Sequence, residues 1–299
     1  MVRGSYERIS IEQFGRHLIL TKDLDPVYCA LTAKNSALKG ANLKRWLIAY
    51  WCLYHCGFAC FASEASGNDF WELLEVAARN EEPPTSWHID LERWPRGHER
   101  RHWRGKQAID CVAYLRKAYS DAPEDMVDYI VAQAPDYKNV TNAARAHYLF
   151  GPWISFKIAD MVDRCLGVHV DFTSNAVFMF TDPLKAALMV WRDRLGVDTN
   201  VHPKSESEVV SQVVSYLKEQ FQDLKAPPFG DRPIDLQEIE TCLCKWKSMQ
   251  NGHYPPYNDI LEINHGLVPW TEQSKTAKKF LEVMPKAPEN ASWDLPVGG

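Results

Sequence analysis

The sequence predicts an all-α protein. Apolar residues recur with helical spacing in nearly every segment, no segment alternates apolar and polar residues as a strand does, and the breaks fall at Gly, Pro and capping residues. The 299 residues, 45% of them hydrophobic, suffice for one large or two modest globular domains.

The predicted helices follow from these patterns in chain order. Residues 41–62 form an apolar run that is too long for a strand, so we expect one buried core helix there. Acidic residues early and basic residues late in 234–252 suit the helix dipole. The Pro- and Gly-containing segment 225–233 is a possible internal break. The other predicted helices are 66–80, 106–120, 121–134, 139–150, 174–196 and 205–224.

The cysteines suggest buried apolar residues rather than a metal site or disulfides. Cys52, Cys56 and Cys60 recur every four residues, which on a continuous helix places all three on one face. Three thiols in one row cannot enclose a tetrahedral metal without further ligands. We therefore expect free, buried thiols.

A dense cationic segment, RWPRGHERRHWRG, occupies residues 93–105 of a chain whose formal net charge is −5. Guanidinium groups bind phosphate bidentately, and Trp94 and Trp103 offer rings for stacking. The acidic net charge favours a localised anion site over a general nucleic-acid coat. A solvated basic loop is the alternative. The predicted phosphate ligands are Arg93, Arg96, Arg100, Arg101, His102 and Arg104.

The segment YLFGPWISFKIADMV, residues 148–162, has the pattern of the second half of a helix-hairpin-helix element. In such an element the hairpin N–H groups and the next helix N-terminus hold a DNA phosphate. We expect Gly151 to make the tight turn, and we predict that Gly151, Trp153 and Lys157 bind DNA. A Gly-Pro helix start is also common punctuation.

The continuation LGVHVDF brings the pattern to Asp171. Lys157, Gly167 and Asp171 follow one another as the hairpin lysine, a glycine and the active-site carboxylate do in helix-hairpin-helix DNA glycosylases, which this segment resembles. The spacing is somewhat shorter than in the glycosylases that use a catalytic lysine. Alternatively, Asp171 caps the helix that follows it.

A third segment, CKWKSMQNGHYP at residues 244–255, places Lys245 and Lys247 on either side of Trp246, and His253 after a Gly turn. Lysines at a helix C-terminus complement the helix dipole, which explains them without a ligand. The functional alternative is a second wall of an anionic cleft.

Five segments in order resemble the phage amino acid:DNA transferases, also called alpha-glutamyl/putrescinyl-thymine pyrophosphorylases, a branch related to helix-hairpin-helix DNA glycosylases. The resemblance covers residues 20 to 265. It implies a glycosylase-like all-α fold with two helical lobes around a cleft, in a catalytic domain at 1–268. The Lys/Glu/Pro-rich composition after residue 268 predicts a tail at 269–299 that wraps the surface or frays. The segments are LDPVYCAL (24–31), RWLIAYWCLYHCG with ASE (45–64), RWPRGHERRHWRG, FGPWISFKIADM and CKWKSMQNGHYP.

The resemblance implies a DNA-hypermodifying enzyme. Such enzymes act on DNA with phosphorylated or pyrophosphorylated 5-hydroxymethyluracil and replace the (pyro)phosphate with an amine from an amino acid or polyamine. The base must leave the duplex, the arginines hold the leaving group, and a carboxylate takes the proton of the amine. Candidates for this base are Asp171 first, then Glu99 and Glu64, although Glu99 also suits an ion-pair spacer among the arginines. Candidates for binding the donor are Lys245, Lys247 and His253.

Two other functions use the same segments. A DNA glycosylase that excises a modified pyrimidine, and a non-catalytic DNA- or RNA-binding module, both remain open. A kinase is disfavoured because the sequence has no GxxxxGK[ST] loop. No compact metal-ligand set is visible, so we predict no cofactor, although a divalent metal would suit pyrophosphate departure. No leader pattern or apolar run of about 18 residues occurs, so we expect no membrane partner and a cytoplasmic protein, in the host-cell cytoplasm if it is phage-encoded.

Overall fold

The computed structural model describes residues 9–80, 82, 84–89, 96–172, 180–195 and 205–294. Within these residues the regular structure is helical, and the β-type pairings are two isolated bridges, Asp136 with Asp171 and Lys225 with Pro233. The predicted all-α fold is confirmed. The likeness to helix-hairpin-helix glycosylases stays a prediction.

The predicted helices 66–80, 106–120, 121–134, 139–150, 174–196, 205–224 and 234–252 correspond to α5, α6, α7, α8, α10, α11 and α12 of the following list. None of the helices in the described residues is long and apolar enough to cross a membrane. The helices are α1 (Ile11–Thr21), α2 (Pro26–Thr32), α3 (Gly40–Leu53), α4 (Cys56–Ser63), α5 (Gly67–Arg79), α6 (Gly105–Tyr119), α7 (Asp125–Val131), α8 (Tyr137–Arg145), α9 (Pro152–Leu166), α10 (Thr181–Arg194), α11 (Glu206–Gln220), α12 (Leu236–Gln250), α13 (Asn258–Leu267) and α14 (Lys275–Val283), with 3-10 turns at Thr85–Trp87, His98–Arg100 and Val268–Trp270.

The chain forms two compact units. The first unit consists of Met1–Cys29, Phe172–Leu261 and Pro285–Gly299, and the second of Ala30–Asp171 and Glu262–Met284. The boundary between a catalytic domain and a tail at residue 268 stays a prediction.

The core of the first unit lies among α1, α10, α11 and α12. Phe14, Leu217 and Trp246 are buried in it. A capping box begins α12: the Asp235 side chain accepts from the backbone, and the Glu238 side chain accepts from the Asp235 N–H. The segment 225–233, the possible break in the sequence, is the non-helical connection into this helix.

The second unit packs α3 against α4, α5 against α6, and α8 against α9. Its core is rich in large rings, since Trp46, Trp51, Trp71 and Trp103 are all wholly buried. Helix α9 is buried along most of its length, including its charged residues. The sequence predicts that Trp94 and Trp103 stack on a ligand. The burial of Trp103 shows that its ring is not available for such stacking, and Trp94 lies outside the described residues.

The prediction of one helix over residues 41–62 is wrong, because the chain breaks after Leu53. Tyr54 adopts the left-handed conformation, with φ 54°, and ends α3. His55 then caps α4, as its Nδ1 accepts from the Phe58 N–H at 3.2 Å. Cys52 therefore lies on a different helix from Cys56 and Cys60. None of the eight cysteines, all of which lie in the described residues, forms a disulfide, and six of them are buried.

The predicted tail contains ordered structure. Trp270 in a 3-10 turn and Phe280 in α14 are both wholly buried, and α14 packs against α4. At least residues 269–284 therefore belong to the second unit rather than fraying from the surface.

Candidate active site

The cationic segment lies in the second unit, where its arginines divide into anchors and exposed groups. Arg93 lies outside the described residues. The Arg96 guanidinium is an anchor: it donates to the carbonyl oxygens of Trp103 and Ala77, each at 2.9 Å, and of Asn80 at 3.1 Å. These bonds fold the segment against α5, so Arg96 holds the loop rather than offering its donors to an anion.

Arg100 is a second anchor, and it is only 2% exposed. Its Nε donates to the Cys52 carbonyl oxygen at 3.0 Å and its Nη1 to that of Leu149 at 3.1 Å, while its Cζ lies 5.6 Å from the Phe150 ring centroid. Its Nη2 is buried and has no hydrogen-bond partner among the described residues. Buried polar groups are normally satisfied, so this donor is available to an anion or a water molecule.

Three of the predicted phosphate ligands are exposed: Arg101, His102 and Arg104. Arg101 donates to the His98 carbonyl oxygen at 2.9 Å, and Arg104 is the N-cap residue of α6. Partial burial, followed by the charges of Arg100 and Arg101, lowers the pKa of His102. A bound anion would relieve this repulsion between like charges.

Glu99 is exposed and lies in the same 3-10 turn as Arg100. This turn packs closely on the end of α3: a Cβ placed on Gly97 would lie 2.5 Å from the Tyr54 carbonyl oxygen and 3.2 Å from Glu99 Oε2. Burial chiefly, with contributions that include the Glu99 charge, raises the pKa of Tyr50 well above its ordinary value. The Glu99 carboxylate therefore lies near the tyrosines of α3.

The predicted hairpin is the connection between α8 and α9. Gly151 is the N-cap of α9 with φ −76°, which any residue adopts, and nothing lies within 4 Å of the position of a Cβ. Leu149, with φ 66°, makes the left-handed turn instead. The expectation that Gly151 makes the tight turn is therefore wrong. Trp153 is half-buried, and its ring centroid lies 5.1 Å from that of Tyr54.

Lys157 is buried in the second turn of α9. Its Nζ lies 3.7 Å from Asp160 Oδ2 and 5.6 Å from the Phe156 ring centroid. The geometry favours an internal role for Lys157 over a contact with a DNA phosphate at the start of the helix.

Asp171 is half-buried near the beginning of α8. Its N–H donates to the Pro135 carbonyl oxygen at 2.8 Å, and it forms an isolated bridge with Asp136, the N-cap of α8. The hairpin follows the other end of α8, and nine helical residues span roughly 13 Å. The helix that Asp171 was alternatively expected to cap begins at residues outside the described ranges.

Glu64 is the C-cap residue of α4 and binds the start of α14. Its Oε1 accepts from Ser274 Oγ at 2.8 Å and from the Thr276 N–H at 2.7 Å. Carboxylates at a helix N-terminus are stabilising, so this geometry favours a structural role for Glu64 over that of a base.

Lys245, a predicted donor ligand, lies in a polar cluster of the first unit. Its Nζ donates to the carbonyl oxygens of Asp23, at 2.8 Å, and Leu24, and lies 2.7 Å from Asp259 Oδ2. Burial raises the pKa of Asp23 to about 7, with the Lys245 charge opposing and the Asp259 charge adding to the shift. Lys245 therefore pairs with the half-buried Asp259 carboxylate beside the buried Asp23, and this pairing competes with binding of a donor molecule.

The other two predicted donor ligands lie close together at the end of α12. Lys247 is half-buried, and its Nζ donates to Asn251 Oδ1 at 3.1 Å. His253 is exposed, and its N–H donates to the Ser248 carbonyl oxygen at 3.0 Å. Both side chains can reach solvent, and their role stays a prediction.

Sequence reasoning did not single out the tyrosines of α3. Trp46, Tyr50 and Tyr54 recur every four residues, and this spacing could have indicated a row of rings on one side of the helix. The segment is so apolar, however, that all its residues are predicted to be core. The rings of Trp46 and Tyr50 are stacked with centroids 4.6 Å apart, and those of Tyr50 and Tyr54 at 4.4 Å.

The fold and the exposed arginines define an all-α protein with a cationic loop at its surface. A sequence profile of the amino acid:DNA transferase family matches residues 19–254. The chain is 50% identical over 293 residues to a glycinyltransferase of Pseudomonas phage PaMx11, covering 94% of this chain and 98% of that protein. It is 26% identical over 265 residues to a putrescinyltransferase of Delftia phage PhiW-14, covering 87% and 79%. The chain belongs to the amino acid:DNA transferase family and is a DNA-modifying transferase, as its motifs predict.

Proposed function

We propose that this enzyme replaces the phosphate or pyrophosphate of 5-(pyro)phosphoryloxymethyl-uracil in DNA with the amine of glycine. The observation that carries the choice of donor is the 50% identity to a glycinyltransferase across nearly the whole of both chains. The lower identity to a putrescinyltransferase makes putrescine the second candidate donor.

In this proposal, exposed side chains of the cationic segment hold the leaving group. The C–O bond between the methylene and the phosphate breaks, and its electron pair leaves on the phosphate oxygen. Arg101, His102 and Arg104 meet this growing charge. Donors aimed at a developing charge stabilise the transition state more than the ground state.

The nucleophile is an amine that arrives as an ammonium ion and must lose a proton before its lone pair forms the C–N bond. Glu99 is the first choice of base, because its exposed carboxylate lies in the same loop as the cations. Asp171 is the second choice. It pairs with Asp136 at the start of α8, whereas the hairpin follows the other end of this helix.

The donor carboxylate needs a cation, for which Lys247 and His253 are proposed. Glycine carries a carboxylate and putrescine does not, so Lys247→Ala should raise the KM for glycine without raising that for putrescine. An equal change for both amines would reject this assignment.

Nucleoside mass spectrometry tests the function. DNA carrying phosphorylated 5-hydroxymethyluracil is incubated with a pool of amino acids and polyamines, and we expect a thymidine adduct with the mass of glycine. Arg101→Ala/Arg104→Ala should lower kcat at least about tenfold. The matched charge control Lys117→Ala, at the opposite, exposed end of α6, should not. Free base with an abasic site would make the protein a glycosylase, and the absence of product with every donor would leave a binding module.

A further inference from the structure

Four aromatic side chains of the second unit form a continuous row. Trp46, Tyr50 and Tyr54 stack along α3, and Trp153 meets Tyr54 edge-on at an interplanar angle of 66°. Trp46 is wholly buried and Tyr50 is 5% exposed, whereas Tyr54 and Trp153 are half-buried. The row therefore begins in the core and ends at two rings that solvent can reach.

The accessible end of the row has an unfavourable backbone. Tyr54 adopts φ 54° and ψ 40°, a left-handed conformation that residues other than Gly adopt uncommonly. It does so between two helices, where the Gly97 N–H donates to the Leu53 carbonyl oxygen at 2.8 Å. Such conformations persist where the surroundings enforce them, and they cluster at binding sites and active sites.

Arg100 ties the two ring-bearing segments together. It donates to the Cys52 carbonyl oxygen, two residues before Tyr54, and to the Leu149 carbonyl oxygen, four residues before Trp153. Leu149 is also left-handed, with φ 66°. One buried guanidinium thus fixes both turns from which the accessible rings project, so that the angle between these rings is set in advance of any ligand.

We propose that Tyr54 and Trp153 form the wall on which the modified pyrimidine stacks once it has left the duplex. This inference rests on the proposed function. Enzymes that act on a base take it out of the stack and hold it against aromatic or apolar side chains. The loop packed on Tyr54 carries exposed Arg101, His102 and Arg104, whose charge complements a phosphate on the same base. Trp46 and Tyr50 support the wall from within the core.

If Tyr54 and Trp153 form this wall, the rings and the cationic side chains contribute differently to DNA binding. The rings recognise the modified base, so their loss reduces the preference for modified over unmodified DNA. They neutralise no phosphate, so the dependence of binding on salt stays the same. Arg100 acts through Tyr54 and Trp153 and is a positioning residue.

The test is the affinity of the full chain for two duplexes, without amine donor so that no transfer occurs. One duplex carries a single 5-phosphoryloxymethyl-uracil, and the other carries thymine at that position. Wild-type protein should prefer the modified duplex, and Tyr54→Leu and Trp153→Leu should each reduce this preference on the order of tenfold. Tyr54→Phe keeps the ring and should keep the preference. Tyr114→Leu, an exposed tyrosine on α6, is the matched control.

Three outcomes separate the possibilities. Reduced preference in both leucine variants, with an unchanged salt slope and unchanged circular dichroism, supports the wall. Wild-type preference in both folded variants overturns it. Trp153→Leu alters no left-handed residue, so it decides the matter if Tyr54→Leu fails to fold. Equal binding of both duplexes by wild-type protein would instead reject the proposed function itself.

Discussion

The contact between Gly97 and Tyr54 makes a sharp prediction for Gly97→Ala. The backbone of Gly97, with φ −58° and ψ 148°, suits any residue, so conformational strain plays no part. A Cβ would lie 2.5 Å from the Tyr54 carbonyl oxygen and 2.8 Å from the Tyr54 Cβ, well inside van der Waals contact. The loop must therefore move away from α3 or push Tyr54 aside.

The magnitude follows from three contributions. Overpacking costs about 1–3 kcal/mol, and a weakened bond from the Gly97 N–H to the Leu53 carbonyl oxygen costs about 1 kcal/mol. Loss of unfolded-state entropy on replacing Gly offsets about 0.4–1 kcal/mol. The free energy of unfolding should therefore fall by about 2 kcal/mol, and catalytic efficiency should fall with it because Tyr54 is displaced.

Gly151→Ala is the matched control. Nothing lies within 4 Å of its Cβ position, and the entropic gain is offset by the weaker capping of Ala, so its stability should stay within about 0.5 kcal/mol of wild type. Urea unfolding, followed by tryptophan fluorescence, measures the stability of both variants. We expect the dependence of the free energy of unfolding on urea concentration to stay the same. A Gly97→Ala protein as stable as wild type would refute the close packing of the loop on α3.

Three further predictions concern buried and capping groups. Glu64→Ala should lower the free energy of unfolding in urea by about 1–2 kcal/mol, because the Ser274 hydroxyl and the Thr276 N–H at the start of α14 lose their acceptor, and it should leave kcat unchanged. A folded variant without activity would restore Glu64 as the base. Lys245→Met should lower the free energy of unfolding by about 3–5 kcal/mol, since it leaves the Asp23 and Asp259 carboxylates without their cation. The control Lys247→Met should change it by no more than about 0.5 kcal/mol. A stable Lys245→Met protein whose only defect is a raised KM for glycine would show that Lys245 binds the donor. Burial lowers the pKa of His17 to about 4, so the unfolded chain takes up a proton at a higher pH than the folded chain does. About 3 kcal/mol of the free energy of unfolding, present above pH 6.5, is therefore lost as the pH falls to about 4. His17→Phe should reduce the loss of stability between about pH 7 and about pH 4.5, and an unchanged pH dependence would contradict this role of His17.

The helices were predictable because their apolar spacing and caps are local. The capping residues Ser205 and Asp235, for example, stand where the sequence places the starts of α11 and α12. The break at Tyr54 was not predictable, since neither Gly nor Pro marks it. Contacts with Gly97, more than forty residues away in the chain, fix the left-handed turn.

The roles within the arginine loop could not be assigned from sequence. A guanidinium becomes an anchor when unsatisfied carbonyls lie within its reach, and those near Arg96 and Arg100 come from helices remote in the chain. The carboxylates near Lys157 and Lys245 could not be predicted either, because Asp160 and Asp259 are paired with these lysines only in the folded chain. The cationic character of the segment is visible in its composition, whereas the family rests on the resemblance of five ordered segments.

A single-turnover balance on DNA carrying phosphorylated 5-hydroxymethyluracil distinguishes amine transfer from base excision and from simple hydrolysis. Labelled glycine is supplied, and three quantities are followed together: label bound to DNA, phosphate or pyrophosphate released, and abasic sites formed. Transfer predicts one leaving group released for each glycine bound, with every glycosidic bond intact. Abasic sites without bound label, or leaving-group release without glycine, would contradict the account.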